Sequence, residues 1–211
     1  MAALAVLGVV VVAAAAFFVL KSSNEKSAPE FKASTAVDLK PGEATVATVG
    51  SPIEFPTDVR DAALATLGAY VETGIVEPLR KGKVNDAALA KVFDEAAIAR
   101  LVGAERATVL DENLPKAVGK VTVKTPPVPL SALADGDGKI VLVATDVQFS
   151  VKARSAKGVL KINHTGSFVL APDASGAWRI TGWTLSTDRG GPGVPPASTP
   201  ASDPTTTTVN P

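Results

Sequence analysis

The 211-residue chain has no cysteine, and its only methionine is Met1. Disulfides, thiolate metal centres and a lipid-modified N-terminal cysteine are thereby excluded. A chain without thiols or internal thioethers suits an oxidising exterior, although codon usage accounts for the same absences. An excess of one charge is missing too. The 21 basic and 21 acidic residues cancel, and no basic cluster marks a nucleic-acid footprint. There is one histidine, His164, and one tyrosine, Tyr70. No glycine-rich phosphate loop occurs, and neither Ser131 nor Ser186 has a base near it in sequence. So few reactive groups give no basis for a catalytic residue, a metal site or a cofactor.

What the chain does have is alternation. Between Lys139 and Thr187 three strand-like runs follow one another: KIVLVATDVQFSVK, GVLKINHTGSFVLA and GAWRITGWTLST. In the first, Val141, Val143, Thr145, Val147, Phe149 and Val151 share a face. In the second, Leu160, Ile162, His164, Gly166, Phe168 and Leu170 do so. The turn-like gap Ala153–Gly158 predicts an antiparallel hairpin. One register sets Val151 against Leu160, Phe149 against Ile162, Val147 against His164 and Val143 against Phe168, and both apolar faces then coincide. A one-residue slip would bring Asp146 beside His164 but turn Val143, Val147 and Phe149 onto the polar side. Each of those side chains is worth about 1.5–3 kcal/mol when buried, so the apolar register is expected. In the third run each face carries one tryptophan, Trp178 or Trp183, which suggests a bent or doubly covered sheet. Gly166 and Gly182 are its candidate bend points.

Upstream, Ala2–Leu20 is an uninterrupted apolar run, about 28 Å long as a helix and close to the hydrocarbon thickness of a bilayer. A retained single anchor over residues 1–21 is expected, with a cleaved signal peptide as the alternative because Ala13–Ala16 offers small-residue cleavage patterns. Lys21, Lys26 and Lys32 follow the run, so the positive-inside rule would place the rest of the chain in the cytoplasm. The tail argues for an extracytoplasmic domain, and that orientation is preferred. Residues 22–56 read as a linker with a short extended piece at Ala44–Val49. Residues 188–211 read as a disordered Pro/Thr-rich tail.

Between them lies a domain over 57–187. Thr57 or Asp58 would cap a helix over Val59–Arg80 whose stripe is Val59, Ala63, Leu67, Tyr70, Val71, Ile75 and Leu79, with Pro78 distorting its end. Asn85 or Asp86 caps a second helix running through Leu101, and a third spans Ala104–Asn113. Val118–Thr125 reads as a strand, and Pro126–Pro129 as an edge or bulge. Asp135–Gly138 reads as a turn. Helices first and strands afterwards predict an α+β fold, with helices on one face of a curved antiparallel sheet.

The long first helix, the Val92-Phe93 pair and the closing Gly176-Ala177-Trp178-Arg179-Ile180 resemble the NTF2-like (cystatin-like, SnoaL-type) superfamily over about Pro56–Thr187. With the N-terminal anchor, the chain is similar to the Mce-associated membrane-tethered proteins of actinobacteria. The resemblance implies a cone of helices on a curved sheet, a non-catalytic interaction or assembly role in the cell envelope, an unidentified envelope protein partner and a homodimer through the sheet. It also implies an alternative, an apolar small molecule or lipid held between the first helix and the sheet, with Tyr70, Val147, His164, Phe168 and Trp178 as lining candidates. A third reading is an isomerase- or dehydratase-like enzyme with His164 as general base. No carboxylate shares the face of His164 on the paired strand, so no Asp–His dyad is legible. Asp135 and Asp137 lack the further ligands of a calcium loop. The Asn163-His164-Thr165 sequon falls in mid-strand.

Overall fold

The computed structural model describes residue 37, residues 39–48 and residues 51–194. The anchor at 2–20, the first part of the linker and the tail from 195 onward lie outside the described residues. Among the described residues no helix is long and apolar enough to cross a membrane.

The architecture is α+β. Strand β1 (Pro41–Ala47) is followed by α1 (Thr57–Tyr70), a π-helical segment (Val71–Val76) and α2 (Glu77–Lys81), which run on as one rod. Short helices α3 (Asp86–Leu89), α4 (Glu95–Arg100) and α5 (Gly103–Val109) come next. Strands β2 (Thr122–Lys124), β3 (Val128–Ala134), β4 (Ile140–Ser155), β5 (Gly158–Pro172) and β6 (Trp178–Gly190) complete the sheet. Its order is β1-β3-β4-β5-β6, with β2 on the same edge of β4 as β3.

The sheet is mixed rather than antiparallel, because β1 pairs with β3 in parallel. β1 lies inside the stretch read as linker, so the sheet begins earlier in the chain than expected. It covers the otherwise open edge of β3, a row of unpaired backbone groups. Gly42 makes the approach possible: a Cβ there would stand 3.0 Å from the backbone of Val128 and Pro129.

The β4–β5 hairpin keeps the expected faces but shifts by two residues. Val151 pairs with Ile162, Phe149 with His164, Val147 with Gly166 and Thr145 with Phe168. The strands run on to Ser155 and Gly158, leaving only Ala156 and Lys157 to turn the chain. A two-residue shift turns no side chain over, so the burial argument selects the face and is silent about this choice. The prolines act as a bulge. Pairing with β4 stops after Lys124 and resumes in β3 one residue out of step, since Pro126 and Pro127 have no N–H to give. Asp135 closes the β3–β4 turn by accepting from the N–H groups of Asp137 and Lys139.

The first helix buries the expected stripe, from Ala63 through Leu67, Tyr70, Val71 and Ile75 to Leu79. It starts at Thr57 with Pro56 at the cap and no side-chain capping bond. The π-helical segment sits just ahead of Pro78. Pro78 cannot donate to the Gly74 carbonyl four residues back, and that carbonyl instead accepts the backbone N–H of Asp111 (2.9 Å). The second predicted helix is broken in two. Leu89, Val92, Phe93, Ala97 and Leu101 are all buried as expected, yet Phe93 bridges to Ile180 of β6. The Asp94 side chain then caps α4, accepting from Ala97 N–H at 2.6 Å. The third helix ends at Val109, earlier than Asn113, and this frees Asp111 from helical geometry.

Candidate functional site

Tyr70 occupies the space between the helical rod and the sheet. Its ring centroid lies 4.8 Å from that of Phe168, 5.9 Å from Phe93 and 6.3 Å from Phe149, and all four side chains are fully buried. Such pairs add about 0.5–1.5 kcal/mol each beyond area burial. The Tyr70 hydroxyl donates to the Val109 carbonyl at 2.7 Å. Burial first, and the nearby Asp111 charge second, push this phenol well above its ordinary value. Gly74 lets the rod pack closely here: a Cβ would stand 3.0 Å from the Tyr70 ring and 3.1 Å from Leu110, and both would have to give by a few tenths of an ångström.

Of the proposed lining residues, Tyr70 and Phe168 meet. Val147 is buried opposite Gly166, His164 lies two residues before Gly166 on the same face of β5, and Trp178 stands half-buried at the start of β6, opposite Pro172. The five do not surround one space. Gly166, at φ 149°, marks a close passage of β6: a Cβ there would lie 1.9 Å from the Thr184 carbonyl oxygen. The register shift in β6 falls next to Gly182. Trp183 packs edge-on against Phe93 at 5.6 Å, with the Arg100 guanidinium 4.6 Å over its ring.

The histidine does have a carboxylate partner, contributed by a loop rather than by the paired strand. His164 Nε2 lies 2.9 Å from Asp111 Oδ2, and both side chains are fully buried. Asp111 Oδ1 accepts from Arg189 Nε (3.0 Å) and Nη2 (2.8 Å). His164 Nδ1 lies 2.9 Å from Thr187 Oγ1, which donates to the Thr108 carbonyl at 2.5 Å. Arg189 Nη2 also donates to the carbonyls of Ala107 (2.7 Å) and Leu110 (3.1 Å).

Hydrogen counting orders this chain. Thr187 has one hydrogen, and the Thr108 carbonyl can only accept it. Nδ1 must therefore supply the hydrogen of the His164–Thr187 bond, and Nε2 is held against Asp111 Oδ2. Both ring nitrogens are thus occupied by partners within the protein. The same side chains finish α5. Its terminal carbonyls, which lack helical partners, are taken by Arg189 at Ala107 and Leu110, Thr187 at Thr108, and Tyr70 at Val109.

Arg189 was expected in a disordered tail, but β6 continues to Gly190 and points Leu185, Thr187 and Arg189 inward. Beyond Thr187 the sequence Asp188-Arg189-Gly190 has no apolar residue, so no alternation marked the extension. Asp111 gave no signal either, being a carboxylate in a short stretch of helical composition. Among the described residues no cluster of three or more metal-ligating side chains occurs. No family model, curated protein or solved structure matches the chain.

Proposed function

We propose that this chain is a membrane-tethered, extracytoplasmic domain of NTF2-like build, held to the membrane through residues 2–20 and acting as a non-catalytic interaction or assembly module of the cell envelope. The observation that carries this reading is the condition of His164. A general base must offer a lone pair to a substrate proton. Here Asp111 and Thr187 engage both ring nitrogens, with His164 and Asp111 fully buried and Thr187 half-buried. An isomerase-type reaction would have to break that network before it began. The lipid-pocket alternative asks for room where Tyr70, Phe149 and Phe168 stand in contact. A protein whose ionisable interior groups are spent on holding a helix end to a sheet is suited to presenting surfaces.

The test uses the full chain in intact cells, with a C-terminal tag and a photocrosslinking residue in place of Leu133, an exposed apolar side chain on β3. External protease is expected to remove the tag, and illumination to yield a discrete adduct with an envelope protein or a second copy. A tag protected until lysis would put the domain in the cytoplasm and overturn the envelope reading. Accessible tag with no adduct from Leu133 or from other exposed positions would overturn the assembly role.

A further inference from the structure

The outer face of the sheet, opposite the helices, carries an arrangement that the proposed function leaves unused. β2, β4 and β5 place two rows of side chains across it. Thr122, Lys152 and Lys161 form one row, and Lys124, Ser150 and Asn163 form the next. Together they line a concavity of about 300 Å³. Among the described residues none of the three lysines makes an ion pair. Lys152 and Lys161 are direct cross-strand partners, a like-charge pairing that works against the sheet. Beyond Lys161 the first row ends in Gly190, which has no side chain. The second ends in Asp188, the one carboxylate in either row. Exposed Arg154 lies two pairs further toward the hairpin turn, on the same face, and adds to the same field.

We infer that this groove binds a compact, multiply charged phosphate-bearing anion, either free or as the headgroup of a lipid. Three ammonium groups supply charge from three adjacent strands, and lysine acts on phosphate as a movable point charge. The Thr122 and Ser150 hydroxyls and the Asn163 amide supply neutral donors between them. Such an anion relieves the Lys152–Lys161 repulsion, which among the described residues no ion pair offsets. The volume suits a diphosphate or a phosphomonoester headgroup and sits at the small end of ligand sites.

The test titrates the full chain, in a neutral detergent, with inorganic pyrophosphate and separately with short-chain phosphatidic acid. Saturable binding is expected, weakened at least tenfold in the Lys152→Gln/Lys161→Gln double variant and unchanged in Lys139→Gln. Lys139 is an exposed control at the far end of β4. The double variant should unfold no earlier than the parent, because it removes a repulsion. Pyrophosphate binding alone assigns the groove to a free phosphate ligand, and tighter binding of phosphatidic acid assigns it to a headgroup. No saturable binding of either probe, or an equal loss in Lys139→Gln, overturns the inference.

Discussion

Asp111 and His164 are 53 residues apart in sequence and 2.9 Å apart in space, with neither side chain exposed. The contact ties the loop after α5 to the centre of β5, and Arg189 binds the other carboxylate oxygen from β6. Asp111→Ala would leave His164 and Arg189 without their acceptor. Breaking a buried pair on one side costs about 3–5 kcal/mol. The low end is expected, because the Arg189 side chain is 22% exposed and regains water. Chemical denaturation of the variant and its parent reads the difference.

Tyr70 is the only tyrosine, so the phenolate absorbance of the whole chain reports it alone. Its phenol is held well above the ordinary 10.0 by burial and then by the charge of Asp111. A raised value in the folded state contributes stability that is complete below the unfolded value and lost as pH rises past it. The phenolate should therefore appear only with alkaline unfolding, in one cooperative step. Tyr70→Phe should cost about 1–3 kcal/mol by leaving the Val109 carbonyl unpaired.

Asp173 titrates at the other extreme. The Ser175 hydroxyl, the Ser175 and Ala177 N–H groups and Arg179 all donate to it, and its carboxyl is lowered from 3.8 to about 2. A depressed value gives stability that is present above the unfolded value and lost as pH falls toward about 2. Carboxyl NMR titration should place Asp173 well below the exposed aspartates, and Asp173→Asn should abolish this part of the acid sensitivity.

Gly166→Ala should be far more damaging than Gly182→Ala. At Gly166 the new methyl would meet a backbone oxygen at 1.9 Å from a left-handed φ, whereas at Gly182 it would meet Val169 at 4.0 Å. Thermal unfolding of the two variants should separate them clearly, with Gly166→Ala losing the β5–β6 pairing.

The fold was legible where a repeat carried it. The 3.6-residue stripe of the first helix puts the right side chains inside, as does the two-residue alternation of β4 and β5 from Val143 onward. At the start of β4, Val141 is exposed and Ile140 buried, the reverse of the expected faces. Features that leave those faces unchanged were hidden, among them the two-residue register shift and the extension of β6 to Gly190. β1 was seen only as a short extended piece, because Ala, Gly and Thr carry little burial signal and its parallel partner lies more than eighty residues away. The Asp111–His164 contact was hidden for another reason. A loop carboxylate is recruited by position in space, and only the lone histidine on an apolar face hinted that a buried partner had to exist.

The central claim is that His164 is spent on structure, and its ring nitrogens can be observed directly. Long-range proton–nitrogen NMR on the labelled full chain should show a slowly exchanging Nδ1 hydrogen in the bridge to Thr187 and an Nε2 shielded from solvent by Asp111. Asp111→Asn should perturb the Nε2 signal and leave Nδ1 bonded to Thr187. A solvent-exchanging nitrogen with a free lone pair would contradict the account and return His164 to the list of possible bases.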